Sequence, residues 1–370
     1  MTDAPPAFSL IMPCYNRAYD LLRVLRAYDE QDASEPFELI AIDDGSQDET
    51  FSVLTNYQPQ RYILRALRQE KNAGPAAARN RGMDLAAAPL VAFVGDDIMP
   101  ASGFVRAHLQ AHRRRPDPHI AILGYTCWPP DMPQNTLMVH IDGAGAEQFS
   151  YHYMQNGQTY DYRHLYTSNI SLKRDFLRSV GRGFDTGFPY AAFEDVELGY
   201  RLARRGLKII YDTSPVAYHY HYHTIFTFSR RQYVAGLSSC ILVRKQPGVL
   251  GIIGGQYSLM MRNLLRGLIR PVGSPELTAW LEEKALELCS FVEWSPNPLL
   301  DRLYVTILSY YYHKGVIDGT FGAGSFWATR ANQSNAMRYL ALNIGWYVQE
   351  ADLEGIPLPA SKESYLEKLR

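Results

Sequence analysis

The chain has 370 residues, of which 46% are hydrophobic and 20% are charged. This length exceeds one average domain, so we expect one large soluble domain with an appendage. The formal net charge of -1 argues against a general nucleic-acid-binding protein, because such domains carry a basic excess.

The first hundred residues alternate short apolar runs with amphipathic segments, which predicts βαβ units and an α/β fold with a mostly parallel sheet. The predicted strands are "FSLIMP" (8–13), "FELIAID" (37–43), "RYILRAL" (61–67) and "PLVAFVG" (89–95). The predicted helices lie near 19–31, 48–57 and 75–87. Ser46 and Glu49 have capping-box spacing, so the second helix is expected to follow the second strand directly.

Later segments are less regular. The predicted elements are a strand "HIAILGY" (119–125), an irregular excursion (143–166), a helix "AFEDVELGYRLARRG" that ends at Gly206, and a strand "KIIYD" followed by "VAYHYHYH". From about residue 225 the chain is helical in character. We therefore predict two domains, 1–230 with the sheet and 231–370 mainly α-helical.

The cysteines and the N-terminus bear on the compartment. Four cysteines lie far apart without a CxxC pair, which disfavours a disulfide framework and a zinc site and fits a reducing cytoplasm. No basic head precedes an apolar core at the N-terminus, and no apolar run approaches about 18 residues. The expected location is cytoplasmic, with the inner face of the membrane as an alternative.

One stretch of the chain is strongly basic. From Thr213 to Pro275 there is no Asp or Glu, while seven Arg and Lys residues fall within it. A solvated face balanced by the acidic stretch 276–287 is one interpretation, and contact with phosphates or an anionic membrane is the other. The segment 230–270 is therefore a candidate for peripheral membrane contact, or else an ordinary helical core element.

Polar residues follow three of the predicted strands, as "PCYNR", "DDGS" and "GDD". In an open parallel sheet, ligands bind at the edge where the carboxyl ends of the strands meet. Asp96 and Asp97 repel each other, so a site that holds both usually supplies a cation. Mg2+ and Mn2+ suit such carboxylates, whereas an exposed turn with a helix cap is the alternative.

A second pair of carboxylates, Glu194 and Asp195, opens a predicted helix. Helical spacing places Glu194 with Glu197 on a polar side and Asp195 on the apolar side. The helix dipole favours an ionised carboxylate in the first turn. Asp195 is therefore expected to stay charged at neutral pH, as suits a general base, with a plain helix charge as the alternative.

Three histidines, His219, His221 and His223, alternate along "VAYHYHYH". In a strand all three would point to the same face. One of them is a candidate metal ligand, and a structural role is the alternative.

Together these motifs resemble the inverting, nucleotide-sugar-dependent glycosyltransferases of family 2, which have the GT-A fold. The likeness covers roughly residues 7 to 230, and the ordered set is more specific than any single motif. The motifs are "SLIMPCYNR", "ELIAIDDGSQDET", "NAGPAAARNRG", "FVGDDIMP", "TSNISLKRDFL" with "GFDTGF", "FEDVELGYRLARRG" and "AYHYH".

The resemblance implies a nucleotide site. Its implied residues are Pro13, Tyr15, Arg17, Asp43, Asp44, Arg79 and Asp96. Tyr15 matches the residue that stacks on the base, and Asp44 the carboxylate that hydrogen-bonds it. Asp96 matches the ribose contact and Arg79 a residue near the nucleotide. The base is uridine by family habit.

The resemblance also implies a divalent metal, Mn2+ or Mg2+, and a catalytic base. Asp97 matches the final carboxylate of the family's DxD motif, although Gly95 stands where that motif has its first Asp. His219 matches the histidine that completes the metal site, and His221 is the alternate because a two-residue shift preserves the alternation. Asp195 matches the base.

The implied reaction is metal-dependent, inverting transfer of a sugar from a UDP-sugar to an acceptor hydroxyl, as in bacterial polysaccharide or glycoconjugate synthesis. The acceptor is a carbohydrate or a lipid-linked molecule. Residues 231–370 would provide contacts with the acceptor, the membrane surface or a second copy of the chain. Aromatic candidates for the acceptor groove are Trp128, Tyr151, Tyr153 and Tyr166, and a packing role is the alternative for them.

Two other function classes remain as alternatives. A nucleotidyltransferase uses a related sheet, but "PCYNR" stands where a glycine-rich basic loop would follow the first strand. A nucleotide-sugar-binding module without catalysis would not need the set of Asp97, Asp195 and His219. A dinucleotide dehydrogenase is disfavoured because no GxGxxG follows the first strand.

Overall fold

The computed structural model describes residues 4–143, 148–249, 275–294 and 298–321, which belong to two compact units. The first unit contains the described residues up to 134 together with 148–222, and the second contains those of 135–143 and those from 223 onward. A continuous helix, Ile225–Lys245, spans the boundary predicted at residue 230.

Nine strands of the first unit form one sheet. They are β1 Phe8–Cys14, β2 Phe37–Asp43, β3 Ile63–Arg68, β4 Leu90–Val94, β5 Ile98–Pro100, β6 Ile120–Cys127, β7 Thr159–Tyr160, β8 Asn169–Lys173 and β9 Lys208–His219.

Helices accompany the strands in chain order. In the first unit they are α1 Ala18–Asp29, α2 Thr50–Asn56, α3 Pro75–Leu85, α4 Phe104–Arg114, α6 Arg174–Arg178 and α7 Glu194–Ala203, with short 3-10 helices at Tyr151–Tyr153 and Tyr162–His164. In the second unit they are α5 Thr136–Asp142, α8 Ile225–Lys245, α9 Pro275–Val292 and α10 Pro298–Phe321, with a 3-10 turn at Pro247–Val249.

The sheet runs in the order β3-β2-β1-β4-β8-β6-β9-β5, and β7 pairs with β9. Strands β3, β2, β1 and β4 pair in parallel, as does β6 with β9. The antiparallel pairs are β4 with β8, β6 with β8, β5 with β9 and β7 with β9. The predicted α/β fold is confirmed, with a parallel central part that antiparallel strands extend.

Two apolar layers cover the faces of the sheet. In β1, Leu10 and Met12 pack on one side, whereas Ile11 packs on the other, as the period of two in a strand requires. Burial on both faces explains why β1 and β2 are apolar runs rather than alternating patterns. The carboxyl ends of these strands are therefore held rigidly from two sides.

Two local predictions are wrong. Ser46 does not cap α2, which begins at Thr50, because the Ser46 hydroxyl accepts a hydrogen bond from the Asn16 amide at 2.9 Å. The strand that carries the histidines ends at His219. His223 therefore does not share its face, and it belongs to the second unit.

The second unit is helical, as predicted for the C-terminal region. Helices α8 and α10 cross closely at Gly236 and Gly315, where a Cβ on either residue would meet the backbone of the other helix. Among the described residues, no helix is both long and apolar enough to cross a membrane. The segment 250–274, which includes most of the proposed membrane contact, lies outside the described residues.

Candidate functional site

The turn between β4 and β5 places Asp97 next to the end of β9. Strand β5 runs antiparallel to β9, with Ile98 opposite His219. The Tyr220 amide donates to the Asp97 carbonyl at 2.8 Å, so the pairing continues past the strand end. Two segments that are distant in sequence therefore meet through backbone hydrogen bonds.

Asp97, His219 and His221 form one cluster. The Asp97 Oδ2 atom lies 3.4 Å from His219 Nε2 and 3.3 Å from His221 Nδ1. One potential ligand atom from each residue falls within 4.8 Å of the others. Burial alone would raise the pKa of Asp97, but the two histidines and Arg17 hold that pKa well below its usual value. An ionised carboxylate beside two imidazoles is a suitable donor set for a cation.

Gly95 is needed for close approach at this turn. A Cβ at that position would lie 2.8 Å from Asp97 Oδ1 and 3.0 Å from a side-chain carbon of Ile98. Both distances are shorter than ordinary van der Waals contact. A side chain at 95 would therefore require the Asp97 carboxylate, which contacts His219, His221 and Arg17, to move from its position.

Arg17 lies against both carboxylates of the motif. Its Nη2 is 3.1 Å from Asp97 Oδ2, and its Nε is 3.6 Å from Asp96 Oδ1. The Tyr15 amide donates to Asp96 Oδ2 at 3.1 Å. Burial, followed by the charge of Asp97, raises the pKa of Asp96 to about 7. The "PCYNR" loop therefore contacts the carboxylates directly and supplies a positive charge to them.

The start of α7 differs from the sequence prediction. Glu194 and Glu197, placed on a polar face by helical spacing, are 3% and 0% exposed. Each has an arginine partner, Arg79 for Glu194 and Arg201 for Glu197, which makes its burial tolerable. Helical spacing placed both residues on a polar side of the helix. The structure buries that side, because ion pairs, which helical periodicity cannot reveal, hold the two carboxylates inside.

The pKa of Asp195 also differs from expectation. Burial, and then the charge of Glu194, raise the pKa of Asp195 to about 7. The direction is opposite to the effect expected from the helix terminus, because desolvation outweighs it. A carboxylate with this pKa can accept a proton near neutral pH.

Aromatic rings lie beside the histidine cluster, and one of them is within electrostatic range of Asp195. The ring of Phe149 lies 6.3 Å from that of His219 and 5.1 Å from that of Tyr166. Burial raises the pKa of Tyr166, and the charge of Asp195 adds to that rise. Phe149 thus lies next to both His219 and Tyr166, and Asp195 is close enough to Tyr166 for its charge to act on the phenol. Trp128 stacks on His219 with ring centroids 5.3 Å apart.

The "DDGS" carboxylates lie at the carboxyl end of β2. Asp44 is 3% exposed and accepts hydrogen bonds from the amides of Ala73 and Gly74, at 2.9 and 2.8 Å, and from the side chain of Gln69. Burial raises the pKa of Asp44. Asp43 is fully buried, and its carboxylate lies 3.2 Å from Arg68 Nε. Asp44 thus fixes the loop before α3.

The loops after β1 and β2 are joined by backbone contact. The Asp44 amide donates to the Cys14 carbonyl at 2.8 Å, and Pro13 lies opposite Ile42 in the parallel register. Pro13 and Asp44 are therefore neighbours at one sheet edge. Arg79 lies on α3, where Nη1 contacts Glu194 Oε1 at 2.7 Å.

A comparison with protein families identifies the chain. The model described as "Glycosyl transferase family 2" matches residues 9–181. The chain belongs to glycosyltransferase family 2. The matched range includes the strand ends that carry Asp44, Asp96 and Asp97. The suspected family and its GT-A fold are thereby confirmed.

Curated relatives are similar over part of their length. Validoxylamine A glucosyltransferase from Streptomyces hygroscopicus subsp. jinggangensis is 31% identical in an alignment that covers 67% of this chain and 63% of that protein. The hyaluronan synthase of Pasteurella multocida is 26% identical over 57% of this chain and 24% of the synthase. The chain thus spans less than two thirds of the length of these relatives.

A solved glycosyltransferase has a similar fold. The mannosyltransferase PcManGT from Pyrobaculum calidifontis, in complex with GDP-Man and Mn2+, has a TM-score of 0.55 and 17% identity, covering 86% of this chain and 88% of its own. At this identity the likeness concerns the fold alone.

In this family 2 glycosyltransferase, the pairing of Arg79 with Glu194 could not be predicted from the sequence. The adjacent acids at 194 and 195 are visible in the sequence, but spacing along the chain does not show that residue 79 lies beside them. The role of Gly95 was also not readable, because it depends on how the Asp97 side chain folds back over the turn.

Proposed function

We propose that this chain transfers a sugar from a nucleotide-diphosphate donor to an acceptor hydroxyl, with inversion at the anomeric carbon. The observation that carries the proposal is the cluster of Asp97, His219 and His221. Asp195 lies within electrostatic range of Tyr166, whose ring packs on Phe149 and through it on the His219 side. A cation site and a proton acceptor within one folded unit are what such a transfer requires. Membership of family 2 supports the same reaction class.

Asp97, His219 and His221 would hold the divalent cation. One carboxylate oxygen and two imidazole nitrogens suit Mn2+ better than Mg2+, which prefers oxygen ligands. When bound, such an ion offsets negative charge on the diphosphate of the donor. The low pKa of Asp97 keeps its carboxylate ionised and ready for a cation.

Asp195 would accept the proton of the acceptor hydroxyl. Its pKa of about 7 lies near the neutral pH at which a general base is most effective. The hydroxyl oxygen would then attack the anomeric carbon from the side opposite the diphosphate. Asp195 takes the proton, and the diphosphate leaves with the electron pair of the broken bond.

The nucleotide would bind along the edge formed by the β1 and β2 loops. We assign base stacking to Tyr15, a base hydrogen bond to Asp44 and a ribose contact to Asp96. Asp44 Oδ1 already accepts two hydrogen bonds, from Ala73 and Gln69, whereas Oδ2 accepts one, from Gly74. A carboxylate oxygen can accept two, so Oδ2 is the atom we assign to the base. Uridine is the proposed base. Guanosine is the alternative to be tested, because PcManGT was solved with GDP-Man.

The acceptor is proposed to be a carbohydrate or a lipid-linked molecule. In a cytoplasmic enzyme with a lipid-linked acceptor, the basic stretch would lie on the inner face of the membrane. Its described part carries Arg230, Arg231, Arg244 and Lys245. Co-sedimentation with anionic liposomes tests this contact, and failure to pellet at low salt would remove it.

The central experiment measures donor binding and products together. Calorimetry with Mn2+ should show binding of one of UDP-glucose, UDP-GlcNAc and GDP-mannose, and Asp97→Ala should abolish the Mn2+-dependent part. Asp195→Asn should keep donor binding while turnover falls by about 10²–10⁴-fold.

The product identifies the reaction class. Release of a nucleoside diphosphate and a product of inverted anomeric configuration would support the proposal. Release of pyrophosphate would indicate a nucleotidyltransferase. Wild-type turnover in Asp195→Asn would refute the assignment of the base.

A further inference from the structure

A buried ion pair lies directly beside Asp195. Arg79 Nη1 on α3 is 2.7 Å from Glu194 Oε1 on α7, and the two side chains are 9% and 3% exposed. The guanidinium group of Arg79 also lies 5.3 Å from the ring centre of Phe184. The pair therefore lies in a largely dry environment, where charges act more strongly on their neighbours than they do in water.

The pair is not fully satisfied by its own contacts. Arg79 Nε and Glu194 Oε2 are buried atoms without a hydrogen-bond partner among the described residues. Replacing a buried pair by apolar side chains is often neutral or favourable for stability. Apolar side chains could therefore hold α3 and α7 together equally well, and stability alone does not explain why these two residues are charged.

The backbone at this point is also unusual. Phe193, which precedes the pair, has φ of 68°, in the left-handed region that bulky residues rarely adopt. Such a conformation costs about 1–3 kcal/mol and is kept where the surrounding contacts hold it. The fixed entry into α7 sets the directions of Glu194 and Asp195.

We propose that Glu194 and Arg79 are positioning residues that act through Asp195: Glu194 makes its neighbour a stronger proton acceptor, and Arg79 fixes Glu194 and limits this effect. The inference rests on the proposed function, in which Asp195 is the base. It gives Arg79 a role different from the nucleotide contact that the family resemblance implies.

The charged groups around Asp195 act in opposite directions. Glu194, on the same helix, raises the pKa of Asp195, whereas Arg79, on α3, lowers it. Tyr166, from the segment before β8, lies within electrostatic range of Asp195, and it is a neutral phenol because burial raises its pKa. Glu194 and Arg79 are thus a matched pair whose removal should produce opposite effects.

The test follows the pH dependence of kcat/KM. Activity should rise with pH as Asp195 loses its proton, with an inflection near the value of about 7. Glu194→Gln removes a negative charge, so the inflection should move down by about one pH unit. Arg79→Met removes a positive charge, so the inflection should move to higher pH. Glu194→Asp keeps the negative charge, so its inflection should stay at the wild-type pH.

A second buried pair on the same helix provides the control. Arg201 Nη2 lies 2.8 Å from Glu197 Oε2, and Glu197 is fully buried. Glu197→Gln should lower the melting temperature without moving the inflection. Equal shifts in Glu194→Gln and Glu197→Gln, or no shift in Glu194→Gln, would overturn the proposal.

Donor affinity separates positioning from nucleotide binding. Calorimetry should give the same donor Kd for the wild type and Arg79→Met. A several-fold weaker Kd with an unmoved inflection would show that Arg79 binds the nucleotide, and it would overturn the proposal. If Arg79→Met does not fold, the inflection of Glu194→Gln, in which Gln can still accept from Arg79, decides the proposal by itself.

A readout without turnover distinguishes this proposal from the proposed function. The pH dependence of the difference in melting temperature between the wild type and Asp195→Asn reports the titration of Asp195. The midpoint of that difference should move to lower pH in the Glu194→Gln background. A midpoint that does not move would refute the positioning role even if no donor were turned over.

Discussion

At the residue scale, Asp195 makes stability depend on pH. Its pKa of about 7 in the folded chain exceeds the value of about 3.9 for an unfolded Asp. Between these values the folded state keeps a proton that the unfolded state has lost, so the free energy of unfolding falls as pH rises through about 7. Asp195→Asn should therefore raise the melting temperature, and by more at pH 8 than at pH 5.

Thermal unfolding in EDTA at several pH values measures this difference. Asp175→Asn is a suitable control for the loss of an exposed carboxylate, because the Asp175 side chain is 91% exposed. A melting-temperature difference for Asp195→Asn that stays constant from pH 5 to 8 would contradict the raised pKa.

At the element scale, the turn between β4 and β5 has no room for a side chain at 95. Gly95→Asp restores the DxD pattern of the family, yet its Cβ would lie 2.8 Å from Asp97 Oδ1 and would bring a like charge to the turn. We therefore expect Gly95→Asp to weaken Mn2+ binding by about tenfold or more, equivalent to about 1.4 kcal/mol.

Calorimetric titration with Mn2+ measures the change, and Gly95→Ala separates sterics from charge. The alanine variant should show part of the loss, because the Cβ itself collides. Gly103→Ala is the matched control, since a Cβ there meets only the end of the flexible Arg106 side chain. Stronger Mn2+ binding by Gly95→Asp would disprove the steric explanation.

Individual elements also show what the sequence could predict. The strands β1, β2 and β4 were readable because both faces are buried and their apolar runs end in polar turns. The capping box predicted at Ser46 proved wrong, because the Ser46 hydroxyl accepts a hydrogen bond from the loop after β1 instead of capping α2. The environment of Glu194 depends on Arg79, which lies 115 residues away, and no local pattern carries that information.

At the scale of the whole molecule, the candidate site belongs to one unit. Asp97, Asp195 and His219 all lie in the first unit, whereas α8 and α10 cross within the second. Since each unit has its own packed residues, damage to the helix crossing should not alter cation binding. Unfolding of the chain need not be a single two-state transition.

Gly236→Ala tests this separation. A Cβ at Gly236 would meet the Tyr312 carbonyl oxygen and lie 2.9 Å from the Val316 amide nitrogen, and helix backbones cannot yield as a flexible side chain can. We expect a loss of about 1–3 kcal/mol in the free energy of unfolding of the second unit, measured by urea denaturation. The Mn2+ affinity of the folded protein should be unchanged.

The exposed residue Glu283 on α9 provides the control. Glu283→Ala should alter neither the free energy of unfolding of the second unit nor the Mn2+ affinity. If Gly236→Ala instead weakened Mn2+ binding at temperatures where the chain is fully folded, the integrity of the helices would be required for the geometry of the cation site. The Asp97 cluster could then no longer be understood from the sheet alone. An unchanged affinity in a destabilised variant would mean that the strand ends and their hydrogen bonds suffice to hold the cluster together.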